Sequence, residues 1–121
     1  MVKALFDTNI LIDYLNAVPA ARTEIERYRD KAISIITWME VMIGAAPPVE
    51  TPTREFLAGF ARIELDEAVA TRAVALRKAH KIKFPDAIVW ASAQQHAMLL
   101  VTRNSKDFPA GDPGVRMPYR I

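Results

Sequence analysis

The chain has no cysteine, two histidines and four glycines among its 121 residues. Without cysteine there are no disulfides and no thiolate metal centres. Two histidines make a multi-histidine zinc site unfavourable, so any metal must be held mainly by oxygen, which suits Mg²⁺ or Mn²⁺. The few glycines leave little room for a phosphate-cradling loop, and no Ser–His–Asp arrangement is visible. No apolar run reaches the roughly 20 residues needed to span a bilayer. The opening residues lack a signal-peptide apolar region with a small-residue cleavage site. The expectation is a soluble, cytoplasmic protein. Charge excess is small: 16 Lys and Arg against 14 Asp and Glu give +2. That balance permits nucleic-acid binding without demanding it.

What is present is apolar. Hydrophobic residues make up 51% of the chain, enough for a core without staples. The length favours one domain over 1–121. The stretch "VKALFD" reads as a short buried strand, and "TNILIDYL" has helical spacing at Ile10, Leu11, Tyr14 and Leu15. "AARTEIERYRDK" reads as a polar helix with Ile25 and Tyr28 facing inward, and "AISIIT" as a second buried strand. "WMEVMIGA" is a short helix ended by Gly44, and "TPTREFLAGF" a helix with Pro52 at its start. "ARIEL" is a weak strand. "DEAVATRAVALRKAHK" is a helix capped by Asp66, and "FPDAIVWASAQQHA" a helix entered at Pro85. "MLLVT" and "VRMPY" are strands flanking the loop "RNSKDFPAGDPG". This alternation predicts an α/β fold with a mainly parallel sheet and helices on both faces. Ligands in such folds bind beyond the carboxyl ends of the strands.

Polar residues punctuate those strand ends. Asp7 ends the first strand, Glu40 follows the second after Thr37, and Asp86 lies in the first turn after Pro85. Asn104 and Asp107 follow the strand that ends at Thr102. Two carboxylates about 4 Å apart repel by about 4 kcal/mol at an effective dielectric near 20. A cluster of them demands raised pKa values or a bound cation. A divalent ion would make a nucleophile of bound water and steady charge on a phosphoryl oxygen. Each acid also has a structural reading. Asp7 and Asp86 suit helix starts, Thr37 and Glu40 form a capping-box pattern, and Asp107 suits a turn. Asp13 reads as a partly solvated helix side chain.

Together, "LFDTNILIDYL", "SIITWMEVMIGA", "FPDAIVWASA" and "LLVTRNSKDFP", with the terminal "VRMPYRI", resemble a PIN domain, and more narrowly the VapC toxins of bacterial toxin–antitoxin pairs. The resemblance covers essentially the whole chain. It implies a three-layer α/β/α sandwich and a Mg²⁺- or Mn²⁺-dependent endoribonuclease. By motif, Asp7, Glu40 and Asp86 are the acids. The resemblance implies that Asp7 and Asp86 would be the direct metal ligands and that Glu40 would act through water or on the nucleophile. Many PIN domains carry Asp where this chain has Asn104, so either Asn104 or Asp107 fills the fourth position. Thr8, Asn9 and Thr102 would support the acids by hydrogen bonding. The resemblance further implies a homodimer and a VapB-type antitoxin that wraps an apolar groove, with "TNILIDYL" and "WMEVMIGAA" as candidate walls.

Arg103, Lys106 and Lys83, with Lys81, are candidate contacts for an RNA backbone. Trp38 is a candidate for base stacking, whereas Trp90 belongs in a core. His80 and His96 read as helix-end residues. Two other functions compete: a catalytically weak or inactive PIN-like module that binds RNA or protein, favoured by Asn104, and an aspartyl-phosphate receiver or phosphatase. The wide separation of the acids along the chain fits the latter less well.

Overall fold

The computed structural model of the chain describes residues 2–121. Strand β1 (Lys3–Phe6) leads into helices α1 (Thr8–Leu15) and α2 (Pro19–Glu26), then strand β2 (Asp30–Ser34). Helix α3 (Ile35–Gly44), a 3₁₀ turn (Pro47–Val49) and α4 (Glu50–Leu57) lead to β3 (Ala61–Ile63). Helices α5 (Glu67–His80) and α6 (Phe84–Gln95) precede β4 (Leu99–Val101), and β5 (Val115–Arg116) closes the order. All strand pairs are parallel, in the order β3-β2-β1-β4-β5. The expected α/β sandwich with a parallel sheet is the fold observed.

The sheet separates two apolar layers. Ile10, Leu11, Ile25, Val41, Leu57 and Phe60 pack with Phe6 and Ile33 on the face covered by α1 to α4. Val69, Leu76, Ile88 and Trp90 pack with Leu5 and Leu100 on the face covered by α5 and α6. Trp90 is a core residue there, edge-on to Phe108 at 5.8 Å between centroids. Alternate residues of β1 serve opposite layers, as the two-residue period of a strand requires.

The strand order reverses between β1 and β4. Connections from β1 outward through β2 to β3 run over one face, and the return to β4 runs over the other. In such a doubly wound sheet the crevice lies where the two directions part, beyond the carboxyl ends. Asp7 follows β1 and Thr102 follows β4, so both stand at that crevice. The backbone N–H of Asp7 donates to the Val101 carbonyl at 2.9 Å, extending the ladder to the rim.

Several sequence expectations shift at their boundaries. The strand expected over "AISIIT" ends at Ser34, and Ile35–Thr37 open α3 instead. Ser34 is the helix cap, its hydroxyl accepting from the Ile36 N–H at 3.1 Å. The expected Thr37–Glu40 capping box is therefore absent: Thr37 is buried within the helix and Glu40 lies further along it. The polar helix expected to run through Lys31 stops at Glu26, because Asp30 and Lys31 pair with Lys3 and Ala4 of β1. Pro52 lies inside α4, which already begins at Glu50. Asp66 caps α5 as expected, accepting from the Val69 N–H at 2.9 Å.

Asp13 is the clearest correction. It is buried, not solvated. Arg103 donates to it through Nε at 2.6 Å and through a terminal nitrogen at 3.0 Å, and the Tyr119 hydroxyl donates at 2.8 Å. A second buried acid, Glu24, takes the same treatment from Arg116, at 2.7 and 3.1 Å, and from the Tyr28 hydroxyl at 2.9 Å. An ionised carboxylate is costly to bury unless it is paired and hydrogen-bonded. Both cations come from the last part of the chain, so the two pairs tie its C-terminal segment onto α1 and α2.

Candidate active site

Asp7 has extended backbone and caps α1, its Oδ1 accepting from the Thr8 N–H at 2.8 Å. Capping uses one of its two oxygens. The other, Oδ2, accepts from the Thr102 hydroxyl at 2.8 Å and from the Asn9 amide at 3.3 Å. The cap therefore orients the carboxylate at the strand end and leaves its second oxygen to other partners. Burial pushes its pKa up, and the charge of Glu40 adds to that rise against the hydrogen bonds that oppose it.

Glu40 is exposed on α3, yet it reaches the site. The Thr8 hydroxyl donates to its Oε1 at 2.6 Å and lies 3.1 Å from the Thr37 hydroxyl. Thr37, read from the sequence as a cap, instead braces Thr8 from inside the helix. A buried threonine within an apolar helix was the available signal.

Asp86 comes from the other face. A helix that feeds a parallel strand runs antiparallel to it, so the first turn of α6 lies at the strands' carboxyl rim. Desolvation, the charges of Asp7 and Asp107, and a hydrogen bond with Asp107 push the Asp86 pKa up to about 7, against the opposing charge of Lys83. Its neighbour Asp107 moves the opposite way, held below the usual range chiefly by the Asn104 amide, which donates to it at 2.9 Å. Asn104 is the organiser of this turn: its Oδ1 also accepts the N–H groups of Lys106 and Asp107, both at 3.2 Å. Asn104 therefore holds Asp107, and Asp107 is the carboxylate that meets Asp86.

The acids are coupled in pairs: Glu40 with Asp7, Asp7 with Asp86, and Asp86 with Asp107. Among the described residues, no three acidic or histidine side chains converge closely enough to form a ready-made metal cage. An all-oxygen donor set of one or two carboxylates completed by water is the chemistry that suits Mg²⁺, which dehydrates reluctantly. Asp7 and Asp86 fit such an ion: neither has a cationic side chain hydrogen-bonded to it among the described residues, and burial with repulsion from neighbouring carboxylates, Glu40 for Asp7 and Asp7 and Asp107 for Asp86, disfavours their charged forms.

The basic candidates differ in freedom. Lys83 and Lys106 are exposed, and both lie close enough to act electrostatically on Asp107. Arg103 is engaged by Asp13. Trp38 is half-buried, with the guanidinium carbons of Arg54 and Arg62 5.3 and 5.2 Å from its ring centroid, so the protein's own cations already engage that ring.

Comparison with known proteins agrees with this architecture. Residues 4–111 match the PIN domain, and the chain belongs to the PIN-domain family. Among solved structures, a chain of a toxin–antitoxin complex from Klebsiella pneumoniae is similar at 50% identity and a TM-score of 0.93, covering 98% of this chain and 100% of that one. The structure of FitAB bound to an IR36 DNA fragment contains a chain with 25% identity and a TM-score of 0.83, covering 98% and 96%. A chain of DNA-bound VapBC from Salmonella typhimurium shares the fold at 23% identity and a TM-score of 0.78, covering 96% of each. No curated protein sequence matches the chain. No helix among the described residues is long and apolar enough to cross a membrane.

Proposed function

We propose that the chain is the toxin of a type II toxin–antitoxin pair, a VapC-type endoribonuclease that depends on Mg²⁺ or Mn²⁺. The observation that carries this reading is the placement of Asp7, held by Thr8, Asn9 and Thr102, at the crevice where the sheet reverses direction, with Glu40 tied to it through the Thr8 hydroxyl and Asp86 in the helix turn at the same rim. Similarity at 50% identity to a chain of a toxin–antitoxin complex supports the biological setting.

Asp7 and Asp86 would hold the ion. When bound, a divalent ion lowers the pKa of a coordinated water and stabilises charge on a phosphoryl oxygen. The chain's own residues do the rest. Thr102, Asn9 and the Thr8 N–H fix the Asp7 carboxylate in one orientation. Thr8 holds one oxygen of Glu40, leaving Oε2 to accept a proton from the attacking water. Asn104 presents Asp107 to Asp86, restoring at the fourth position the negative charge that Asn104 itself lacks. Lys83 and Lys106 supply positive charge for an RNA backbone beside the acids. The exposed apolar side chains Met39 and Ile43 of α3, with Leu15 of α1, offer surface to a VapB-type antitoxin or to a second copy in a homodimer.

The competing reading, a binding module that does not cleave, draws on Asn104. The placement of Asp107 against Asp86 weakens it. Purified protein with Mg²⁺ or Mn²⁺ and total RNA separates the two. Metal-dependent cleavage that EDTA, Asp7→Ala and Asp86→Ala each abolish is the expected result. Metal-dependent RNA binding with no cleavage would establish the binding module, and cleavage persisting in both variants would exclude this mechanism.

A further inference from the structure

Arg103 lies between two residues that serve the acid site. Thr102 donates to Asp7 and also accepts the Asn104 N–H at 3.0 Å, while Asn104 holds Asp107. The backbone N–H of Arg103 itself donates to the Asn9 Oδ1 at 3.3 Å. That bond sets which way the Asn9 amide faces, so that its nitrogen points to Asp7 and Thr102, each at 3.3 Å. The segment beyond β4 has no helix or strand until β5, so its placement at the rim depends on such side-chain contacts.

The Arg103 side chain supplies one. Its fork closes on Asp13 at 2.6 and 3.0 Å, and Tyr119 of the C-terminal tail completes that carboxylate at 2.8 Å. Asp13 is on α1, the helix whose first turn carries Thr8 and Asn9 and whose cap is Asp7. One short rigid element thus grips both ends of the arrangement: its start presents the acid, and a later residue anchors the segment that orients the acid. Bidentate Arg–carboxylate pairs fix geometry as well as charge.

We infer that Asp13, Arg103 and Tyr119 form a clamp that positions Thr102, Asn9 and Asn104 around the acids, making Arg103 a positioning residue and not a contact for RNA. The inference rests on the ribonuclease reading for its kinetic consequence, but its geometric consequence stands apart.

The test uses full-length Arg103→Lys, which loses the fork, Tyr119→Phe, which loses one bond, and the double variant Asp13→Asn/Arg103→Gln, which keeps a neutral hydrogen-bonded pair. Cleavage of a defined single-stranded RNA gives kcat and KM. The salt dependence of RNA affinity and the hydrogen exchange of the Arg103 and Asn104 amides are measured alongside. The expected result is a kcat lowered about tenfold, in the range typical of lost supporting bonds, with KM and salt slope unchanged and both amides exchanging faster. A raised KM with a salt slope reduced by about one phosphate contact would make Arg103 an RNA ligand and overturn the inference. Unchanged kcat in folded variants would overturn it too. Should the parent protein cleave no RNA, the ribonuclease reading falls, and amide exchange alone decides: faster exchange in the variants supports the clamp, and parental protection overturns it.

Discussion

Asp7 and Asp13 stand at either end of the same helical segment, and they are buried alike, at 5% and 4% residual exposure. Their environments are opposite. Asp13 receives an arginine fork and a tyrosine hydroxyl, and these bonds hold its pKa below the ordinary value despite desolvation. Asp7 receives only neutral donors and has Glu40 nearby, and burial keeps its pKa raised. Burial is thus common to both, and the presence of a cation is what separates them. The chain neutralises Asp13 internally and gives Asp7 only neutral hydrogen-bond partners among the described residues. The same contrast separates Glu24, held by Arg116, from Asp86, raised to about 7 beside other carboxylates. Carboxylates in a crevice whose charged forms are disfavoured are candidates for function, whereas carboxylates held by a cation serve the architecture.

The largest effect that would break this comparison is on activity. Asp7→Ala should reduce RNA cleavage by a hundred- to a thousandfold or more, on the order of the several kcal/mol that a metal site contributes to a transition state. Asp13→Ala should act chiefly on stability, lowering cleavage only about tenfold through loss of the clamp. It removes the buried acceptor of the Arg103 fork and of the Tyr119 hydroxyl, so urea unfolding should show a loss of about 2 kcal/mol. If the Asp7 variant proved the less stable and the Asp13 variant the less active per folded molecule, the assignment would be reversed.

Much of this was legible in the sequence. The helix over "TNILIDYL" and the parallel sheet follow from periodicity and alternation, and Asp7 at a strand end and Asp86 in a first helical turn were readable as positions, whereas Glu40 lies in the middle of α3. The course of β2 was not legible, because "AISIITW" is apolar apart from Ser34 and Thr37 and gives no clear period by which to tell strand from helix. The serine that caps α3 lies inside that run. Asp13 was unreadable for a different reason: its partners, Arg103 and Tyr119, are distant in sequence, and no local rule pairs them. The role of Asn104 as the holder of Asp107 likewise depends on the fold of the loop.

Smaller effects sharpen the contrast. Thr102→Val removes the shortest side-chain hydrogen bond to Asp7. Cleavage should fall about tenfold with the fold retained, as when a supporting partner of a metal ligand is lost. The pH dependence of metal-free protein should have two limbs. Asp7 and Asp86 hold their protons more tightly folded than unfolded. Between the ordinary value of 3.8 and about 7 for Asp86, stability therefore falls as pH rises. Asp13 and Glu24 are lowered, so their contribution is present above their ordinary values of 3.8 and 4.5 and is lost as pH falls through their folded values. Melting temperature should peak between these limbs, in mildly acid solution. Asp86→Asn should flatten the upper limb and stabilise metal-free protein at pH 8 by about 1 kcal/mol, once solvent screening of a half-exposed group is allowed for.

The most direct measurement is the melting temperature of the protein at pH 8 during titration with Mn²⁺, for the parent chain and for Asp86→Asn. An ion that binds only the folded state and relieves carboxylate repulsion must stabilise it. A saturable rise is expected in the parent, with a much weaker response in the variant, which begins at a higher melting temperature without metal. No rise in the parent, or the same rise in both proteins, would contradict the claim that Asp7 and Asp86 await a divalent ion.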